Sequence, residues 1–122
     1  MKNTLKENRD FRRLYSRGRS AVSDCMVVYV MRNRRGPGRL GITTGTKLGH
    51  AVVRNRLRRV IREIYRHHAP ELRPDMDVVV VARSRAVTAS YWEMERAFLR
   101  CAERVGLLKK PDKTPPKEQG TV

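Results

Sequence analysis

The stretch from about Ala51 to His68 limits what this chain can fold into more than any other. At 3.6 residues per turn, Val53, Leu57, Val60, Ile61 and Ile64 fall on one side of a helix, and Arg54, Asn55, Arg58, Arg59, Arg62 and Arg66 fall on the other. Such a helix must lay its apolar side on a core and leave a row of arginines outside. A merely solvated face usually mixes Glu with Lys to use i,i+4 attraction, but here only Glu63 interrupts arginines that repel one another at that spacing. The row therefore calls for a polyanion. Guanidinium suits phosphate better than ammonium does, because its planar fork donates two parallel hydrogen bonds and also stacks on exposed bases.

Elements on either side supply the core. Asn8 reads as the N-cap of a short helix carrying Phe11, Leu14 and Tyr15, with Gly18 as a left-handed stop. The β-branched and aromatic run Cys25 to Met31 reads as a strand, 33–38 (NRRGPG) as a turn, and Arg39 to Thr44 as a second strand, together an antiparallel hairpin. After Pro70 and Pro74, the run Asp77 to Ala82 is apolar enough for a strand buried on both faces, so strand, helix and strand form a crossover unit with a parallel pair. Thr88 or Ser90 caps a last helix, Ser90 and Glu93 having capping-box spacing; Trp92, Phe98, Leu99 and Val105 read as its core contacts and Gly106 as its stop. The expected fold is an α/β (α+β) two-layer sandwich of about three helices on a mixed sheet of about four strands. It forms one domain over 1–108, followed by a disordered basic tail over 109–122 with three prolines.

Charge narrows the partners. With 28 Lys and Arg against 12 Asp and Glu, the formal charge of +16 is self-repelling unless neutralised. Nucleic acid is the expected polyanion rather than a membrane: the apolar runs Met26 to Met31 and Val78 to Ala82 are far shorter than the roughly 20 residues a span needs. The first six residues carry no apolar segment behind their charges, which places the protein in the cytoplasm. Cys25 and Cys101 lack CxxC spacing and read as buried reduced thiols. A DNA-reading helix is disfavoured, since Asn55 is nearly alone in being suited to base edges.

The stretch 47–63 (KLGHAVVRNRLRRVIRE) resembles the RNR signature of the protein subunit of bacterial ribonuclease P. Leu5 to Gly18 is similar to that family's opening helix, and Leu40 to Thr43 and Asp77 to Arg83 to its strands, so the resemblance runs from Leu5 to Leu108. It implies a 1:1 partnership with a separate catalytic RNA that removes the 5′ leader of precursor tRNA, using Mg2+ held mainly by RNA, with no cofactor and no obligate protein partner for the protein itself. It also implies a left-handed crossover, against the usual hand. Carried over by position, RNA contacts come from Lys47, Arg54, Asn55, Arg56, Arg58, Arg59 and Arg62, and the leader cleft is lined by Phe11, Tyr15 and Tyr29. Aromatic faces stack on any base and so accept leaders of differing sequence. Thr46 stands where the family often has a second lysine, and His50 where asparagine is usual.

Plainer readings stand beside these. From the residues alone Phe11 and Tyr15 read as core, and Tyr29 either faces a cleft or packs beneath the helix. Glu63 and His67 have i,i+4 geometry that could begin a zinc site, but no further ligands are legible; His67 and His68 read as capping or solvated, and no metal site is expected. Asp10, Asp24, Asp75 and Asp77 are scattered where carboxylates serve structure. No nucleophile–base or paired-acid arrangement is legible, so no catalytic residue is expected in the protein. A ribosomal RNA-binding protein and a metal-dependent nuclease remain as rivals.

Overall fold

A strand that is apolar on both sides needs neighbours on both edges and cover on both faces, and this one decision organises the chain. The computed structural model describes residues 4–109; the expected tail beyond Lys109 and the first three residues lie outside them. In chain order the elements are α1 (Asn8–Arg17), β1 (Arg19–Val22), β2 (Met26–Arg32), β3 (Leu40–Thr43), α2 (Ala51–His68), β4 (Met76–Ala82) and α3 (Tyr91–Arg104), with short 3-10 turns at Thr46–Leu48, Ala69–Glu71 and Ser84–Val87. They form one mixed sheet in the order β1-β2-β4-β3. The apolar β4 sits inside it, antiparallel to β2 and parallel to β3, so α2 carries the chain across a β3–α2–β4 crossover.

That arrangement corrects the expected hairpin: Cys25–Met31 and Arg39–Thr44 do not pair with each other, because β4 lies between them. The hairpin that does form joins β2 to β1, a strand not anticipated from the sequence, through a tight turn where Ser23 Oγ accepts from the backbone N–H of Met26 and Cys25. β1 buries only Ala21, so its apolar signal is slight.

The pleat sends alternate residues to opposite sides. Val28, Val30, Leu40, Val78 and Val80 join Leu57, Ile61 and Ile64 of α2 and Met94, Phe98 and Cys101 of α3 in the main core. On the other side Val79 packs with Leu5 and Leu14, flanked by half-buried Phe11, Tyr29, Met31 and Val81. Both cysteines are buried free thiols, as expected; burial and Asp24 push the Cys25 thiol up to about 11.

Helix ends differ in detail from the expectations. α3 starts at Ser90 with a complete capping box, Ser90 Oγ accepting from Glu93 N–H and the Glu93 carboxylate from Ser90 N–H, and Gly106 beyond its end has the positive φ of a stop. α1 is capped from Glu7 without a side-chain bond, and Asn8 is already its first helical residue. Gly18 is extended rather than left-handed; it is needed because a Cβ would stand 2.6 Å from the Leu14 carbonyl oxygen and 2.8 Å from that of Val30. Trp92, expected in the core, is 68% exposed, since Met94, Ala97, Phe98 and Cys101 define the buried stripe and it lies off it. Among the described residues no helix is long and apolar enough to cross a membrane.

Candidate RNA interface

The apolar anchors of α2 decide where its arginines go. With Leu57, Ile61 and Ile64 buried against the sheet, Asn55, Arg56, Arg59 and Arg62 are exposed, and Arg54 and Arg58 half-exposed at the flank. Lys47 is exposed in the 3-10 turn just before the helix. The fold thus brings all seven expected RNA-contact residues onto one surface that begins at the turn and runs along the back of α2.

None of these seven forms an ion pair among the described residues. Two are instead aimed by backbone carbonyls: Arg54 Nε donates to Gly49 O at 3.2 Å and an Arg56 Nη to Val87 O at 3.2 Å. Each such bond holds the guanidinium without cancelling its charge. Arg39, before β3, shows the contrast. It donates to both carboxylate oxygens of buried Asp77 (2.8 and 3.3 Å) and to Asp10 at 3.1 Å, and the Asp77 hydrogen bonds raise its pKa above the already high ordinary value. Arg39 is matched by two acids, whereas the seven residues of this surface are matched by none.

The three expected cleft residues also come together, on the opposite side of the sheet. Tyr29 of β2, Val79 of β4 and Gly41 of β3 are aligned across the strands. Phe11 lies over Gly41, where a Cβ would stand 2.7 Å from its ring. Tyr15 meets Tyr29 edge-on with centroids 4.9 Å apart, and its hydroxyl is 3.1 Å from Thr43 Oγ1. Phe11 and Tyr29 are half-buried and Tyr15 is 40% exposed, so the rings form a wall with one face open. Phe11 packs against the core on one side and is only half-buried, so the core reading holds for that side of the ring.

Asp10 and Asp77, grasped together by Arg39, tie α1 to the sheet, and the N–H of Leu5 donates to Leu40 O at 2.9 Å, completing the tether. A groove between α1 and the β2–β3 connection is lined by Arg9, Arg13, Arg32, Arg34 and Arg35 together with the acids Glu7, Asp10 and Asp77; the three rings lie outside its lining. These arginines were not singled out from the sequence; the i,i+4 pair Arg9 and Arg13 on the outer side of α1 was the available signal. The chain therefore carries a basic surface on α2 and, on the opposite side of the sheet, a cluster of three rings and a groove rich in arginine.

Asp75 pairs with Arg32 and Asp77 with Arg39, the structural roles expected of them; the groove's own carboxylates are Glu7, Asp10 and Asp77, of which Asp10 and Asp77 are both neutralised by Arg39. His68 departs from expectation: it is buried, not solvated or a helix cap. Burial alone would lower its pKa, but hydrogen bonds to Glu95 and Glu71 outweigh this and raise it.

The sequence matches the Ribonuclease P family over residues 1–106. It is 36% identical over 107 residues to the ribonuclease P protein component of Natranaerobius thermophilus, covering 88% of this chain and 93% of that protein. The fold superposes on the Staphylococcus aureus RNase P protein with a TM-score of 0.81 at 30% identity, covering 89% of this chain and all of that one. With the Thermotoga maritima RNase P protein the TM-score is 0.73 at 29% identity, over 81% of this chain and 94% of that one. A S. aureus mutant described as having defective mRNA degradation activity is also similar, with a TM-score of 0.79 at 31% identity over 86% of this chain and 89% of that one. Together with the two surfaces described above, these matches show that the chain belongs to the ribonuclease P protein family.

Proposed function

We propose that this protein is the cytoplasmic protein subunit of a ribonuclease P holoenzyme, an endoribonuclease that removes the 5′ leader from precursor tRNA. In this reading the back of α2, with Lys47 before it, binds one catalytic RNA. The groove under α1 takes the single-stranded leader, stacking bases on Tyr15, Tyr29 and the edge of Phe11 and drawing its phosphates toward Arg9, Arg13 and Arg32. Cleavage belongs to the RNA and to Mg2+ that the RNA holds, so the protein neutralises charge and positions substrate, and no cofactor of its own takes part in the cut.

The observation that carries the proposal is the unpaired state of the α2 arginines in a chain that pairs Arg39 twice over. Guanidinium groups that no acid compensates, lined along one helix, are available to the phosphates of a folded polyanion. The test is reconstitution with the catalytic RNA of the same source at low magnesium, following leader release from precursor tRNA. The expected result is strong stimulation by the protein and no cleavage without the RNA.

A second reading, RNA degradation by the protein itself, is raised by the S. aureus mutant described as defective in mRNA degradation. The same experiment separates the two, because protein alone would then shorten RNA, and replacing one carboxylate would abolish the activity.

A further inference from the structure

The end of α2 far from Lys47 carries a cluster that RNA binding does not use. His68, buried in the last turn, engages both ring nitrogens: Nδ1 lies 2.9 Å from Glu71 Oε1 and Nε2 lies 2.7 Å from Glu95 Oε2 of α3. His67 is exposed, makes no hydrogen bond among the described residues, and sets its ring edge-on to that of His68 with centroids 4.9 Å apart. One ligand atom each from His67, His68 and Glu95 lies within 4.8 Å of the others. Glu63, one turn before His67 on α2, is the acid whose spacing points to a metal in the sequence. The missing ligands come from the neighbouring helix and from the adjacent histidine, neither of which i,i+4 spacing could reveal.

A clamp of hydrogen bonds accounts for His68 with its two acids. It does not account for His67, whose free imidazole is held beside them. Tetrahedral zinc binds nitrogen at about 2.0–2.1 Å and carboxylate oxygen at about 2.0–2.2 Å, which sets ligand atoms about 3.4 Å apart. The most distant pair here needs to close by no more than about 1.4 Å, and the His68–Glu95 pair to open by about 0.7 Å. The broad terminal torsions of Glu and His permit movements of that kind. Glu71 already stands where an orienting partner belongs, accepting from Nδ1–H so that Nε2 faces the site, the carboxylate–histidine–metal arrangement of many zinc proteins. The last turn of a helix also presents carbonyl oxygens, a partial negative charge that favours a cation.

We propose that His67, His68 and Glu95 form a binding site for a zinc-class divalent transition ion, with Glu71 orienting His68 and a water completing the tetrahedron. Binding releases to solvent the proton shared between His68 Nε2 and Glu95. The ion joins the C-terminal end of α2 to α3 and so stiffens the helix that carries the arginine row. This inference does not depend on the RNA-binding reading, since it concerns the protein alone.

The test uses the untagged full chain, stripped with chelator and titrated with Zn2+ by calorimetry without RNA, with Co2+ absorption as a check on tetrahedral geometry. The expected result is one ion per chain, a higher melting temperature with zinc, and affinity reduced tenfold or more by His67→Ala and by Glu95→Gln. His67 is exposed, so its variant is expected to keep the wild-type circular dichroism spectrum. His50→Ala, removing the chain's only other histidine, should leave binding as it was. Absence of stoichiometric uptake by the wild type, unchanged affinity in both cluster variants, or loss in His50→Ala instead would overturn the proposal.

Discussion

The two faces of the sheet are built to different standards. Under α2 and α3, Val28, Val30, Val78 and Val80 are sealed beneath Leu57, Ile61 and Phe98, leaving no apolar surface to offer. Under α1, one short helix covers Val79, while Tyr15 and the flanks of Phe11 and Tyr29 stay open. The sealed face supplies rigidity, and its function is displaced to the outer side of α2, where charge is presented. The open face instead presents rings and a groove rich in arginine. In the proposed function one sheet supports two kinds of recognition: phosphate on the back of a helix, and unpaired bases against rings.

The comparison breaks most visibly in the sealed core. Phe98→Ala should cost about 3–5 kcal/mol of stability in chemical denaturation, since a ring is deleted where neighbours cannot close the gap. A loss below ~1 kcal/mol would mean this face is as loosely covered as the other. On the groove side, Asp77→Ala removes the acid that fixes Arg39 to the sheet. It should destabilise by about 2–3 kcal/mol, less than a fully buried pair because a third of the Arg39 side chain reaches solvent. Tyr15→Ala should cost under ~1 kcal/mol of stability yet weaken binding of leader-bearing precursor by about 1–3 kcal/mol, sparing mature tRNA. Equal weakening of both RNAs would make Tyr15 a packing residue only. Smallest of all, Trp92→Ala should change stability by less than about 1 kcal/mol, for the indole touches mainly the Tyr91 ring, at 5.3 Å between centroids.

The helix α2 was legible residue by residue because its period, its arginines and its family signature agree. The crossover and the burial of β4 were legible too, for only an interior strand tolerates Val at four consecutive positions. Closeness in sequence suggests a hairpin of β2 with β3, but the doubly apolar β4 has the stronger claim to the middle. β1 escaped notice since an edge strand with one buried residue leaves almost no pattern. Trp92 misled by its type: at 100° per residue it lies about 160° around the helix from Met94, opposite the buried stripe. The proposed contacts on α2 and the three rings follow from the family resemblance, whereas Arg9, Arg13 and the arginines of the β2–β3 connection need the fold to bring them beside α1. The burial of His68 is not legible in the sequence because its partners, Glu71 and Glu95, are contributed by a turn and a distant helix.

The most direct test of the account is the salt dependence of binding to the catalytic RNA, compared between wild type and the triple variant Arg54→Ala, Arg58→Ala, Arg62→Ala. If these guanidinium groups neutralise phosphates, the slope of log affinity against log salt should become shallower by about 2–3, at roughly 0.7–0.9 for each phosphate left without its arginine. An unchanged slope, with the triple variant folded and binding as the wild type does, would contradict the claim that the outer side of α2 meets RNA.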